Sequence, residues 1–416
     1  MAITDAIKVL EETFLSQVLL PGTVEYTELN SSYLSALEND ITPACIFRPT
    51  SNQDISTFLK LTNNTHFAIR GGGQQPLPGC ANIPDGITLD LGLLTGIELN
   101  EDTSTVSIAA GERWGNVYNV LAPKNLAVAG GRSANGGIGG LALQALNPPT
   151  HSLTHPSGLS FFSSREGFIC DNLTKPDASH DTHLMLSIGY AAPFGGTMCQ
   201  NQVYFTKAGD GETDVPRVLE RFVDITPRLE ELSSVKLMDI KEAAGGQAAV
   251  AMEDMRSAYM NITLKASSPA LETAADIYTS PLDPIKSKEG IICSLTLQPH
   301  PVSLLEKSVE LGGNSLGLSP EDGPLISVLL LAYWKDREDD EHIMGLMKDT
   351  LGRIEADAKE KGQAVGFTFM NYASGFQDPV ASYGVENVSR LQGVSRKYDP
   401  EGVFQRLVPG GFKLFG

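Results

Sequence analysis

Apolar positions in the first 150 residues fall into short runs whose period alternates between helix and strand. After an N-terminal helical stretch, "ACIFRPT" (Ala44–Thr50) reads as a strand. Ser51 then caps a helix in which Ile55, Phe58, Leu59 and Thr62 share one face. "HFAIR" gives a second strand that ends on Gly71, Gly72 and Gly73, so the unit is β–α–β with a glycine loop at its end. Alternating residues in "GITLDLGLLTGIELNEDTSTVSIAAGERWG" predict several short strands. Trp114, Val117, Tyr118 and Leu121 recur at i, i+3, i+4 and i+7, the spacing of a buried helix face. "LAVA" is expected to be a strand opening into a second glycine loop, formed by Gly130, Gly131, Gly136, Gly137, Gly139 and Gly140.

The stretch from Gln144 to Ser157 has neither period and reads as a loop rich in Pro, Ser and His. From about His183 the pattern changes. Strand-like runs ("LMLSIGYA", "TMCQNQVYFT", "AYMNITLKA", "IICSLTLQPH", "LISVLLLAYW") alternate with helical segments, and Ile343, Leu346, Met347, Leu351 and Ile354 form one apolar stripe. This is the pattern of an α+β domain in which helices cover one face of a sheet. The last fifty residues are rich in turns and aromatic side chains.

Charge narrows the choice of partners. With 31 Lys and Arg against 50 Asp and Glu, the net charge of −19 repels phosphate backbones and anionic membranes, which argues against nucleic acid. The acidic residues within the first twenty positions do not suit a secretory signal, and the longest apolar run is too short to cross a bilayer, so a cytoplasmic protein is expected. Cys45, Cys80, Cys170, Cys199 and Cys293 show no C-x-x-C spacing and read as reduced thiols. His151, His155, His180 and His183 lie in loop-like sequence without a carboxylate at ligand spacing, so no metal site is expected.

The glycine loops carry the chemistry. Consecutive glycines after a strand can adopt positive φ and present bare amides to a pyrophosphate, although the same composition also makes plain tight turns. Neither loop has the Gly-Lys-Ser/Thr of a P-loop, and "GGRSANGGIGG" fits a dinucleotide fingerprint poorly.

The order "PACIFRP", "AIRGGGQQPLPGCANI", "GITLDL", "AAGERWGNVYNVL", "LAVAGGRSANGGIGGLAL" and "GLSFFSSREGFICDN" resembles the flavin-binding half of FAD-linked oxidases of the vanillyl-alcohol oxidase type, and most of all the berberine-bridge-like enzymes of fungal secondary metabolism. The tail "NYAS...QDPVASYGVENVSRLQGVSRKYDPEGVF" resembles the same family. The resemblance implies an α+β fold: a PCMH-type FAD-binding domain of two α/β subdomains, the second truncated, and an α+β substrate domain with an antiparallel sheet. Residues 1–180 would be the FAD-binding part, 181–368 the substrate domain and 369–416 the return. Arg70, Gly71, Gly72 and Gly73 would be the diphosphate loop and Gly137, Ile138, Gly139 and Gly140 the second loop, with Asn371 approaching the flavin.

Two departures from the family follow. Gln74 stands where a flavin-linking His would be and Ser133 where doubly linked relatives carry a Cys, so the implied FAD is non-covalent. The chain also passes from "FICDNL" to "THLMLSIGYA" without the third glycine-rich stretch of its relatives. The implied activity is oxidation of a small polyketide- or alkaloid-like intermediate, with Tyr372 or Tyr383 as base unless each merely packs. The alternative is a cofactor-free cyclase, of pericyclic or Diels–Alder type, on a flavin-oxidase scaffold that has lost FAD; it would act by restricting a polyene's conformers. A non-catalytic binding protein is the third reading.

Overall fold

The computed structural model describes residues 2–143 except 63 and 129, the strands at 153–154 and 157–159, and residues 182–205, 220, 222–229, 233–248 and 254–416. Packing divides the chain into two units, Met1–Pro148 with Ala244–Met255 and Ser389–Gly416, and Pro149–Ala243 with Arg256–Val388.

In the first unit, α1 (Ile3–Phe14) and β1 (Val18–Leu19) precede β2 (Cys45–Phe47), α2 (Asn52–Leu61), β3 (Phe67–Arg70) and β4 (Ile87–Asp90). The strand order is β1-β2-β4-β3, with β1 antiparallel to β2, and with β2 and β3 both parallel to β4. The β–α–β unit therefore forms with β4 lying between its two strands. A parallel strand is covered on both faces, which is why "CIF" is apolar throughout and fully buried. The rings of Phe47, Phe58 and Phe67 follow one another at 5.2 and 5.4 Å between α2 and the sheet. Ser51 caps α2 as expected, and Asp54 completes the box by returning its carboxylate to the Ser51 N–H.

A hairpin of β5 (Ile97–Leu99) and β6 (Val106–Ile108) leads to α3 (Trp114–Leu121), whose four stripe residues are all buried. The strand expected at "LAVA" is not present: residues 126–128 are irregular and Ala129 lies outside the described residues. The chain there is committed to packing Gly130 and Gly131 against Trp114, whose indole fills the space that a Cβ at either position would need. The second loop ends in α4 (Ile138–Leu143).

Among the described residues the second unit contains a seven-stranded antiparallel sheet. Its strands are β7 (Ser157–Leu159), β8 (Thr182–Ala191), β9 (Gly196–Phe205), β10 (Arg256–Lys265), β11 (Ile292–His300), β12 (Leu325–Trp334) and β13 (Ala364–Val365), in the order β13-β10-β12-β11-β8-β9-β7. The five runs expected to be strands form β8 to β12. Helices α5 (Ser268–Thr279) and α6 (Asp340–Glu360) pack on one another, and α6 lies on β10 and β12. In the stripe of α6, Ile343, Met347, Leu351 and Ile354 are buried and Leu346 is half-buried.

Most of the expected loop at 144–157 lies outside the described residues, as do His151, His155, His180 and Cys170. Cys45, Cys199 and Cys293 are buried and unbridged, and His183 stacks on Tyr204 at 6.1 Å. No group of three potential metal ligands, and no helix long and apolar enough to cross a membrane, occurs among the described residues.

Candidate functional site

The two glycine loops meet within the first unit. A Cβ on Gly72 would lie 2.6 Å from the Cα of Gly137, so the two main chains touch with no room for a side chain on either. Gly73 takes φ +63°, which turns the loop back towards Tyr33. Among the described residues the N–H groups of Gly71, Gly72, Gly73 and Gln74 donate no hydrogen bond. Successive unpaired amides beside a second glycine backbone can serve as donors to an anion such as a pyrophosphate. Ile138 donates its N–H to the Glu112 carbonyl, and Arg113 pairs with Gly137 as an isolated antiparallel bridge, which holds the second loop in register.

The first loop is fastened at its flanks rather than at its tip. Arg70 is buried and its guanidinium packs against Gly73, with Nε and Nη2 3.0 and 3.1 Å from where a Cβ of Gly73 would stand, while donating to the Leu29 carbonyl (2.6 Å) and to Ser32 Oγ (2.7 Å), pairing with Asp90 (3.3 Å) and lying 3.8 Å over the Tyr33 ring. On the far flank, Glu38 accepts from the N–H groups of Gly79 and Ala81. Burial pushes its carboxyl up to about 7, against the pull of those N–H groups and of Arg70. The segment from Leu29 to Ile41 thus acts as a clasp, and nothing in its sequence period signals that role.

Gln74 is half-buried at the tip. Of the second loop, Ile138 is buried and with Gly139 and Gly140 begins the short helix α4.

Asn371, Tyr372 and Tyr383 lie in the second unit, and residues 369–388 are tied there by Asn261. Its amide donates to the Phe369 carbonyl (3.0 Å) and accepts from the Phe369 N–H (2.8 Å), while Gln377 donates to its carbonyl (2.7 Å). The Asn371 amide nitrogen is buried without a partner among the described residues. Tyr383 is buried and stacked on Phe367, and desolvation pushes its hydroxyl up to about 12. Tyr372 is half-buried, edge-on to Tyr259 at 6.1 Å, and accepts from Gln298 Nε2 at 3.4 Å. The hydroxyls of Tyr259 and Tyr333 are themselves in hydrogen-bond contact.

These partners belong to one face of the sheet. The register puts Tyr259, Asn261 and Thr263 of β10 on the same side as Ser327 and Tyr333 of β12 and Ser294, Thr296 and Gln298 of β11. The other side carries Met260, Ile262, Leu264, Leu295, Leu297, Val328 and Leu330, all buried. Ser327 Oγ and Thr263 Oγ1, cross-strand neighbours, are buried without partners among the described residues. Sequence reasoning did not single out Tyr259, Tyr333 or Gln298. The signal that finds them is the period-two alternation in "SLTLQPH" and "AYMNITLK", where every second residue is polar.

Residues 43–151, the segment that contains both glycine loops, match the family described as FAD binding domain. The fold as a whole is that of the PCMH-type, berberine-bridge-like flavoprotein oxidases that the sequence resembles. A glucooligosaccharide oxidase from Acremonium strictum, whose described FAD is 6-S-cysteinyl and 8α-N1-histidyl, superposes with a TM-score of 0.74 at 14% identity, over 99% of this chain and 100% of that one. Among curated proteins, the FAD-dependent monooxygenase drtC of Aspergillus calidoustus is 27% identical over 472 positions, covering 96% of this chain and 88% of that protein. The bifunctional solanapyrone synthase of Alternaria solani is 26% identical over 98% of this chain and 89% of its own length.

Proposed function

We propose that this protein is an FAD-dependent oxidoreductase of the fungal secondary-metabolism type, that its flavin is held without a covalent bond, and that it oxidises a small polyketide- or alkaloid-like intermediate. The observation that carries the proposal is the line of unpaired amides from Gly71 to Gln74 against Gly137, within the segment matched to an FAD binding domain. The unpaired amides suit a diphosphate as hydrogen-bond donors. Bound FAD supplies the two-electron acceptor, and the chain's own residues do the rest.

Gly71, Gly72, Gly73 and Gln74, with Gly137, Ile138, Gly139 and Gly140, hold the cofactor. Gln74 has no nucleophilic ring nitrogen and leaves it unlinked. Tyr372, as the phenolate with its own proton released to solvent, takes the proton that the substrate loses; Gln298 donates to its oxygen and the Tyr259–Tyr333 pair flanks it. Asn371, with its amide nitrogen unpaired, faces a polar ligand group. Tyr383 packs, because burial pushes its hydroxyl up to about 12 and keeps it protonated near neutrality. The polar face of the antiparallel sheet binds the substrate's oxygen or nitrogen functions.

One observation favours the cyclase as second reading. Gln74 stands where the linking histidine would be, as expected of a scaffold that has lost FAD. Titration of the purified protein with FAD separates the two. A saturable change in the flavin spectrum is expected for the oxidoreductase, whereas a colourless protein that never perturbs added FAD points to the cyclase.

A further inference from the structure

We propose that Arg113 is the cation that binds the flavin diphosphate, and that it compensates for the missing covalent anchor at Gln74. The inference rests on the FAD reading above and adds to it a residue that no glycine motif contains. Arg113 immediately precedes α3, where its main chain bridges to Gly137. Its Nη1 donates to the Asn135 carbonyl and lies 3.7 Å from where a Cβ of Gly72 would stand. The guanidinium therefore sits where the two glycine loops meet, next to the unpaired amides, and has further donors to offer.

Its electrostatic setting is unusual for this chain. Among the described residues no carboxylate lies within ion-pair distance of Arg113. Asp90 is already shared between Arg48 (3.2 Å) and Arg70 (3.3 Å), and Glu112 accepts from the Gly96 N–H and the Asn116 amide, each at 2.8 Å. Two guanidinium groups thus already share the one buried carboxylate of Asp90, in a protein whose net charge is −19. Burial, and then the Arg70 charge, depress the pKa of Arg113 against the opposing pull of Asp90, as expected for a partly desolvated cation without an ion-pair partner. A diphosphate supplies that counter-ion with acceptors suited to a forked donor. The neighbouring glycine amides alone would add donors but no full charge.

The test is binding of FAD, riboflavin and inorganic pyrophosphate to the wild type, R113Q and R113K, with melting curves as the control for folding. Glutamine keeps a donor for the Asn135 carbonyl while removing the charge. R113Q is expected to weaken FAD at least tenfold, about 1.4 kcal/mol, to leave the weaker affinity for riboflavin unchanged, and to abolish competition by pyrophosphate; R113K recovers part of the loss. Equal FAD affinity in R113Q and wild type overturns the proposal. So does a parallel loss of riboflavin and FAD, since Arg113 would then act through the fold. A wild type that binds pyrophosphate but no FAD leaves the anion site standing and removes the flavin reading.

Discussion

At Gly72 even a methyl group has nowhere to go, because the atom it would meet is main chain rather than a flexible side chain. Gly72→Ala is expected to separate the two loops, lowering FAD affinity at least tenfold and the melting temperature by several degrees; a variant with wild-type affinity would mean that the loops do not hold the cofactor. The two tyrosines divide in the same way. Tyr372→Phe should reduce turnover about a hundredfold or more with FAD binding unchanged, while Tyr383→Phe should leave turnover nearly intact, both read by steady-state kinetics once a substrate is found. Glu38 predicts a pH dependence. Its folded pKa of about 7 lies above the ordinary 4.5, so the folded state binds more protons in that window. Its contribution to stability is then complete below about 4.5, is lost as pH rises to about 7, and is flat above. Urea unfolding across this window should show that slope in the wild type and not in Glu38→Gln.

Among the elements, α2 offers a local test. Removing the cap with Ser51→Ala should cost about 1 kcal/mol in urea unfolding, and no loss would mean that the box is formed but idle. Much of this level was legible in the sequence, since helical stripes such as Trp114 to Leu121 and the five long strands are written in periodicities of 3.6 and 2. What was not legible depends on contacts between distant segments. Nothing in "GITLDL" says that it inserts between β2 and β3, and "LAVA" has the composition of a strand but leads into Gly130 and Gly131, which pack against the Trp114 indole. The clasp from Leu29 to Ile41 is equally hidden, because it works through carbonyls and a buried acid. The polar face around Gln298 was present in the alternation yet has meaning only when β10, β11 and β12 are in register.

For the whole molecule, the family resemblance carried further than any motif, because a glycine cluster is weak evidence until two of them are placed in contact. The alignment to drtC spans 472 positions against 416 residues here, so the relative carries segments that this chain does without. On the proposed reading, FAD held without a histidyl link is dissociable and, with Arg113 as its charged contact, bound with an affinity sensitive to salt. The most direct test of the central claim is to load the protein with FAD, precipitate it with acid, and measure flavin in the filtrate and in the pellet. Binding followed by complete release into the filtrate is the result predicted for the wild type with Gln74. Flavin retained in the pellet, or a protein that takes up no flavin before precipitation, would contradict it.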